Sequence, residues 1–409
     1  MVRRVVVTGI GGISSLGSDW ESIRARLGEY RNAVKFMPDW RDYDGLNTAL
    51  GAPVTDFEVP SHFTRRQLRS MGRVSKLSVT ATEQALAAAG LLNDPILKSG
   101  RAGVSYGSSA GSTDAVAEFG EMLLNKNLDG LNATSYVRMM SHTAAVNIGV
   151  FFGLTGRVIP TSTACVAGSQ GIGYAAEVIR YGQQDIMLAG GGEELCPTQA
   201  AVFDTLYATS TMNDTPEQTP RPYDRDRDGL VLGEGACTFV LEEYEHAKTR
   251  GANILAELVG FASNSDGSHV TRPNKDTMAI CIAGALSDAG LDASAVGYVN
   301  THGTATDHGD IAESQATSEI MGSNKPVSSM KSYMGHTLGA CGALEAWTAI
   351  GMMHDGWFAP TINLDNIDPE CGELDYIVKE GRELDCEYVM SNNFAFGGLN
   401  TSLIFRRLD

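Results

Sequence analysis

The chain has 409 residues, of which 31 are basic and 49 are acidic, and its formal net charge is −18. A surface with this charge repels phosphate backbones and anionic lipids over most of its area, so nucleic acid and membranes are poor partners. Hydrophobic residues make up 43% of the sequence. A chain of this length and composition can bury a large core without disulfide bonds.

Strand-like and helix-like segments alternate along the whole chain. The predicted strands cover residues 5–8, 102–106, 158–159, 185–189, 237–242, 254–261, 297–300, 388–392 and 401–405, and the predicted helices cover residues 74–90, 167–180 and 338–353. This alternation predicts an α/β layered fold with a largely parallel sheet and helices on both faces. The polar, proline-rich stretch at residues 213–229 is expected to be an ordered loop, a lid or a domain boundary.

Seven cysteines are scattered along the chain without a CxxC pair. Their odd number and spacing argue against a zinc site and against a disulfide framework, so we expect reduced thiols in a cytoplasmic protein. The apolar run at residues 5–7 is too short for the core of a signal peptide. No stretch reaches the roughly 18 apolar residues that a membrane-spanning helix requires.

Cys165 lies in a small-residue turn at residues 160–169, between a predicted strand and a predicted helix. This arrangement is typical of a nucleophile elbow, in which a sharp turn presents a reactive side chain. A thiol at a helix N-terminus also feels the positive end of the helix dipole, which favours the nucleophilic thiolate. Considered alone, a small buried core cysteine is the more common explanation for such a residue.

Two histidines lie in glycine- and threonine-rich turns that follow strand-like runs. His302 belongs to residues 299–306 and His336 to residues 331–340. Open α/β sheets place their ligands at the ends of such strands, so both side chains are candidates for chemistry. Hydrogen-bonded turn histidines are the alternative, and that interpretation is kept for the other six, which are His62, His142, His246, His269, His308 and His354.

Four motifs follow one another along the chain. They are Thr-Ala-Cys at Cys165, Thr-His-Gly-Thr-x-Thr at His302, Lys-x4-His from Lys331 to His336, and Asn-x-Phe-x-Phe-Gly-Gly at residues 392–398. Together they resemble the signature of the β-ketoacyl-acyl-carrier-protein synthases, the elongating condensing enzymes of the thiolase-like superfamily. The resemblance covers essentially the whole chain, and four motifs in order are far more specific than any one of them.

The resemblance implies an α/β fold of α-β-α-β-α layers, built from two similar halves with mixed five-stranded sheets. The N-terminal half, residues 1–252, would carry the nucleophile Cys165. The C-terminal half, residues 253–409, would carry both motif histidines, Lys331 and a gating loop at residues 394–398.

The same resemblance implies a decarboxylative Claisen condensation. Cys165 would accept an acyl chain from a carrier-protein thioester, and His302 and His336 would stabilise the enolate that forms when malonyl-acyl-carrier protein (malonyl-ACP) loses CO2. The product would be a β-ketoacyl-ACP, in fatty acid or aryl polyene type chain elongation. No bound cofactor is implied, because the phosphopantetheine arrives on the acyl carrier protein (ACP).

Supporting roles are also implied by the resemblance. Lys331, paired with Glu313, would hold the electrostatics and geometry of the site. The hydroxyls of Thr304 and Thr306 would bind the pantetheine arm, although turn-stabilising hydroxyls are the simpler interpretation. Family positions around a buried polar or cation site are matched by Asn300, Glu345, Ser391 and Asn392, but no metal role is predicted for them.

The loop that would open the acyl pocket consists of Phe394, Ala395, Phe396, Gly397 and Gly398. Phe396 would be the door, and the backbone N–H groups of Phe396 and Cys165 would form an oxyanion hole. The sequence departs from the common family form where Asn393, Ala395 and Leu399 replace serine, glycine and threonine. These departures bear on loop mobility and acyl specificity, since the oxyanion hole uses only the backbone.

The clearest basic cluster comprises Arg65, Arg66, Arg69, Arg73 and Lys76. The last four are spaced 3, 4 and 3 residues apart, which predicts one face of a helix. Carrier proteins are acidic, so this face is a candidate docking site that would act mainly on the association rate. A solvated basic helix is an equally good interpretation.

Other members of the superfamily remain as alternatives. A thiolase needs a second cysteine in the C-terminal glycine loop, and residues 394–398 contain none. Starter-type ketosynthases have asparagine where His336 stands, and catalytically silent chain-length factors lack the nucleophile that Cys165 provides. Residues 193–198 and 391–398 resemble ketosynthases of aryl polyene pathways, which can pair with a chain-length-factor-like subunit, so either a homodimer or a heterodimer is expected.

Overall fold

The computed structural model describes residues 2–408. The N-terminal half contains β1 (Val5–Ser14), α1 (Trp20–Gly28), β2 (Lys35–Phe36), β3 (Leu50–Ala52), α2 (Arg65–Leu68), α3 (Arg73–Ala88), β4 (Ala102–Gly107), α4 (Thr113–Asn125), α5 (Ala133–Met139), α6 (Thr143–Phe152), β5 (Val158–Pro160), α7 (Ala167–Arg180), β6 (Ile186–Glu193), α8 (Pro197–Asp204), β7 (Leu232–Gly233), β8 (Gly235–Glu243) and α9 (Tyr244–Thr249). The C-terminal half contains β9 (Ala256–Ser265), α10 (Lys275–Ala289), β10 (Val296–Asn300), α11 (Asp307–Met321), β11 (Pro326–Ser328), α12 (Lys331–Met334), α13 (Cys341–Asp355), β12 (Trp357–Phe358), β13 (Asp375–Tyr376), β14 (Arg382–Glu383), β15 (Tyr388–Ala395) and β16 (Leu399–Arg406). Within this described range, no helix combines the length and apolar character needed to cross a bilayer.

The two halves build their main sheets in the same way. The N-terminal sheet has the strand order β5-β4-β6-β8-β1, and the C-terminal sheet has the matching order β11-β10-β15-β16-β9. In each sheet the strand that comes fifth along the chain, β8 or β16, is antiparallel to both of its neighbours, and the remaining pairs are parallel. The repeated order confirms the expectation of two similar halves with mixed five-stranded sheets.

The two sheets meet at their first strands. β1 and β9 pair over two residues, and the short β13 adds to the far edge of the C-terminal sheet, so hydrogen bonding is continuous over eleven strands. The expected boundary between residues 252 and 253 falls in the connection from α9 to β9. Residues 213–229 lie before β8, and their Tyr223 and Asp224 are fully buried, so this stretch is an ordered loop and not a domain boundary.

Two central helices separate the sheets. α7 packs on β4 and β6, α13 packs on β8 and β15, and the two helices contact each other, while α3 and α10 cover the outer faces. Their contact is backbone to backbone: a Cβ atom at Gly168 would lie 3.0 Å from the backbone nitrogen of Ala343, and one at Gly342 would lie 2.7 Å from that of Ser169. The glycines therefore let the N-termini of α7 and α13 approach closely. The motif residues Cys165 and His336 precede these two helix ends.

The prediction that Arg66, Arg69, Arg73 and Lys76 share one face of a single helix is wrong. α2 and α3 are separate helices because Gly72 is extended and packs against Ser112, where a Cβ atom would lie 2.1 Å from the hydroxyl oxygen. Arg73 donates to the buried carboxylate of Glu234 and is therefore committed to an ion pair inside the protein. Of the other predicted docking residues, Arg65, Arg66 and Arg69 are exposed and Lys76 is half-buried.

Candidate active site

Cys165 lies at the sharp turn between β5 and α7. A 3₁₀ turn at Ala164–Val166 leads directly into α7, and Ala164 has a left-handed backbone with φ of 50°. Such a conformation is costly for alanine and is typical of functional turns. The turn predicted around the nucleophile is therefore present, and the Cys165 side chain is buried with 4% of its surface exposed.

His336 faces this thiol directly. Its Nε2 atom lies 3.0 Å from Cys165 Sγ. On the other side of the ring, the backbone N–H of Leu338 donates to Nδ1 at 3.3 Å. Because Nδ1 is an acceptor, the proton of the neutral imidazole is on Nε2, which points at the sulfur.

His302 completes the group of three side chains. Its ring centroid lies 5.1 Å from that of His336, and the two planes are nearly perpendicular. The ring-nitrogen and sulfur atoms of Cys165, His302 and His336 all lie within 4.8 Å of one another. The structure thus brings together the three residues that the motifs singled out, although 137 or more residues separate the cysteine from either histidine in the sequence.

Burial and a nearby buried ammonium group together set the charge of the two imidazoles. Lys331 is fully buried and forms an ion pair with the equally buried Glu345. Burial lowers the pKa of His302 and of His336 well below the ordinary value, and the Lys331 charge lowers both further. Both imidazoles are therefore neutral at physiological pH and remain hydrogen-bond donors rather than cations.

The predicted pairing of Lys331 with Glu313 is wrong. Glu345 is the partner, and Glu313 is engaged elsewhere because its two oxygens accept from the backbone N–H groups of His302 and Gly303 at 2.6 and 2.7 Å. Glu313 therefore orients the His302 turn, and its link to Lys331 is only through space.

Asp310 shares this task with Glu313, one turn earlier on α11. It accepts from the backbone N–H groups of Thr304 at 2.9 Å and Ala305 at 3.2 Å. Two carboxylates thus hold four consecutive N–H groups of the turn. Burial raises the pKa of Asp310 to about 6 and that of Glu313 to about 7. Sequence reasoning missed Asp310, although its spacing of three residues from Glu313 places both on one helix face.

Opposing effects act on the pKa of the Cys165 thiol. Burial raises the pKa of Cys165 to about 12, and the Lys331 charge and the backbone N–H groups of Phe396 and Cys165 only partly oppose this effect. Desolvation thus opposes the preference for the thiolate that is expected at a helix N-terminus. Both N–H groups lie beside the sulfur, so they are also close to where the carbonyl oxygen of a thioester on Cys165 would be.

The gating loop, residues 394–398, connects β15 to β16. Gly397 and Gly398 have φ of 89° and 69°, a left-handed backbone that glycine adopts without strain. The Phe396 ring packs on Phe203 with 5.0 Å between centroids, at the wall of the site. A Cβ atom at Gly397 would meet nothing within 4 Å, so the tip of the loop is open.

A cavity of about 410 Å³ connects these parts to solvent. It is lined by Cys165, His302, His336, Thr304, Thr306, Phe394, Ala395, Phe396 and Gly398, among others. The hydroxyls of Thr304 and Thr306 bond each other at 2.9 Å, on the wall that leads from the reacting atoms outward. The basic cluster around α2 does not contribute to this wall.

Cys341 is a second thiol at the site, which sequence reasoning did not single out. Its sulfur donates to the backbone oxygen of Cys165 at 3.1 Å. The available signal was its place five residues after His336, at the start of the predicted helix. His302, Cys341 and Glu345 also form a group of ligand-type atoms within 4.8 Å, but the Lys331 ammonium on Glu345 opposes a cation there.

The family models give an independent result. The β-ketoacyl synthase N-terminal domain matches residues 2–247, and the β-ketoacyl synthase C-terminal domain matches residues 255–365. The chain is 38% identical over 415 residues to the 3-oxoacyl-[acyl-carrier-protein] synthase 2 of Vibrio harveyi, with 99% of each chain covered.

Solved structures agree with this result. A β-ketoacyl synthase from Burkholderia phymatum STM815 is 58% identical with a TM-score of 0.99, and all of both chains is covered. The ishigamide ketosynthase/chain length factor is 31% identical with a TM-score of 0.91, again over all of both chains. The buried Cys165 thiol thus lies next to two neutral imidazoles. Both the sequence and the fold show that this chain belongs to the β-ketoacyl synthase family.

Proposed function

We propose that this chain is a 3-oxoacyl-ACP synthase that joins an acyl group held on Cys165 to a malonyl-derived carbon nucleophile. The observation that carries the proposal is the sulfur of Cys165 facing two neutral imidazoles, His302 and His336, in one cavity open to solvent. A cysteine beside two hydrogen-bond donors serves both an acyl-enzyme and an enolate.

In the first half-reaction, the Cys165 sulfur attacks the carbonyl carbon of an acyl-ACP thioester. The carbonyl oxygen becomes an oxyanion, which the N–H groups of Cys165 and Phe396 stabilise. The bond to the pantetheine sulfur then breaks, and the thiol proton of Cys165 leaves with that sulfur.

In the second half-reaction, malonyl-ACP occupies the emptied cavity. The bond to its carboxylate breaks, CO2 leaves, and the electron pair forms an enolate whose oxygen accepts from Nε2–H of His302 and His336. The enolate carbon attacks the acyl thioester on Cys165, and the cysteine sulfur departs as a thiolate that takes up a proton from solvent. Neutral donors suit this step because the negative charge exists only during the reaction.

The partners are proposed from the surface of the chain. β5 is at the open edge of the sheet, and Val158 on this strand and Val150 on the neighbouring α6 expose 47% and 75% of their surfaces. An exposed apolar edge strand is a template for pairing with a second chain. We propose that β5 joins this chain to another ketosynthase-like subunit.

The carrier protein is acidic, and we propose that the exposed Arg65, Arg66 and Arg69 attract it. Seven unpaired cysteines support a reducing, cytoplasmic location.

Separating the two half-reactions tests the roles of the thiol and the imidazoles. Cys165→Ser is expected to abolish acylation, seen by mass spectrometry, while decarboxylation of malonyl-ACP persists. His336→Ala is expected to slow decarboxylation about 100–1000-fold while acylation of Cys165 persists, since one enolate donor is lost. His62→Ala, an exposed histidine outside the cavity, serves as the control. Equal loss of both half-reactions in both variants would contradict these roles.

The buried ammonium makes a prediction about pH. Native activity is expected to persist as pH falls past about 6.5, because the imidazole pKa values lie below that ordinary value. In Lys331→Met the repulsion between the ammonium and a protonated imidazole is gone, and Glu345 is unpaired. The pKa values of both site histidines therefore rise, and activity is lost at a higher pH. Lys331→Met/Glu345→Gln removes both charges and should fall between the two. Superimposable acid limbs in the pH–rate profiles would refute the electrostatic role.

Assembly through β5 is tested with one charge on the edge strand. Val158→Lys is expected to shift the protein from dimer to monomer in sedimentation velocity, because a lysine on an edge strand opposes pairing. Ile280→Lys, on the outer helix α10 and 63% exposed, is the matched control and should stay dimeric. A Val158→Lys variant that remains a dimer would place the interface elsewhere. A chain that dimerises only after addition of a second ketosynthase-like subunit would establish the heterodimer.

The resemblance to aryl polyene ketosynthases stays a prediction about the acyl group. If it holds, we expect the enzyme to extend an aryl-enoyl-ACP faster than a saturated acyl-ACP of equal length. The measurement is mass spectrometry of the carrier-bound product. A preference for the saturated chain would assign the enzyme to ordinary fatty acid elongation.

A further inference from the structure

Asn393 occupies a position directly behind the ring of His302. It is fully buried on β15, one residue before the gating loop. Its amide nitrogen donates to Glu345 Oε2 at 2.7 Å and lies 3.3 Å from His302 Nδ1. An amide nitrogen carries two protons, so it can serve Glu345 and His302 at once, while Cys341 Sγ at 3.7 Å is a more distant third neighbour.

The carboxylate of Glu345 determines which way this amide faces. With the amide reversed, the Asn393 oxygen would lie against the Glu345 oxygen, and two acceptors would meet without a proton between them. Lys331 holds Glu345 in place from the other side through the buried ion pair. The orientation of Asn393 is therefore fixed by a chain of contacts that begins at the Lys331 ammonium.

We propose that Asn393 is a positioning residue that keeps the proton of His302 on Nε2, the nitrogen that serves the enolate. Since Nδ1 accepts from the amide, the single proton of the neutral ring must be on the other nitrogen. His336 reaches the same state by a different route, through the backbone N–H of Leu338. This inference rests on the proposed function for its catalytic consequence, but the protonation state itself is a property of the resting protein.

The identity of the side chain matters here. Serine, the usual residue at this position in the resembled family, has one hydroxyl that can donate or accept, so it does not by itself select a tautomer. Asparagine tied to a carboxylate presents only a donor to the ring. The Asn393 oxygen has no hydrogen-bond partner among residues 2–408, which is a cost that the amide orientation imposes.

Replacing Asn393 with aspartate tests the proposal most sharply. Asn393→Asp has the same shape but offers an acceptor, so the His302 proton should move to Nδ1 and the enolate should lose one donor. Decarboxylation of malonyl-ACP is expected to fall about 100-fold or more, while acylation of Cys165 is retained. Asn393→Ser should lie between the native protein and Asn393→Asp.

The tautomer is read directly from the ¹⁵N spectrum of histidine-labelled protein, with His302 assigned through His302→Gln. The native spectrum should show His302 protonated at Nε2, and Asn393→Asp should show it protonated at Nδ1. Asn392→Asp is the matched control, because it places the same buried charge one residue away and should lower stability without changing the tautomer.

Two results would overturn the proposal. One is an unchanged His302 tautomer in Asn393→Asp, and the other is an equal loss of acylation and decarboxylation in that variant, which marks a general structural defect. If the native chain does not decarboxylate malonyl-ACP at all, the proposed function fails, and the ¹⁵N spectrum still decides the role of Asn393.

Discussion

The buried charge of Lys331 is the constraint on which the rest of the site depends. An ammonium without solvent is stable only with a carboxylate partner, and Glu345 supplies it from the first half of α13. The same positive charge lowers the pKa of both site histidines, so two imidazoles can stand about 5 Å apart without either becoming a cation. For Cys165 it acts in the same direction but is outweighed by burial. Burial and this ion pair together favour neutral imidazoles, while burial opposes a thiolate at Cys165.

Each segment that supplies one of the three motif side chains, Cys165, His302 and His336, has a left-handed backbone at a non-glycine residue. Ala164 precedes Cys165, Ala305 lies three residues after His302, and Leu338 lies two residues after His336, with φ of 50°, 65° and 44°. Such conformations cost about 1–3 kcal/mol each and persist only where the surroundings hold them. Buried carboxylates stabilise two of these segments. Asp310 and Glu313 accept from backbone N–H groups of the His302 turn, and Glu193 accepts from the backbone N–H of Gly339 in the His336 segment.

The sequence predicted what is local and failed where a choice depends on packing. The resemblance carried by the four motifs was sufficient for the two halves, and the motifs themselves for the turn at Cys165 and for the grouping of Cys165, His302 and His336. The partner of Lys331 was mistaken because Glu313 and Glu345 both reach the site, and only the fold shows that Glu313 is occupied by backbone N–H groups. The prediction of one continuous basic helix failed at Gly72. This glycine packs tightly against Ser112, and a contact between segments so distant in sequence cannot be seen in the local pattern.

The departures from the common family pattern cluster in two contacts and are not scattered. Ala395 and Leu399 pair with each other at the base of the hairpin at residues 394–398, and Gly397 and Gly398 form its left-handed tip. These two glycines have the greatest backbone freedom in the predicted gating loop. Asn393 lies one residue before the loop at residues 394–398, and its amide nitrogen is 3.3 Å from His302 Nδ1. It is held in the ladder between β15 and β16, whereas Gly397 and Gly398 lie beyond the last residue of β15, so a change of backbone at these glycines need not move the amide that contacts His302.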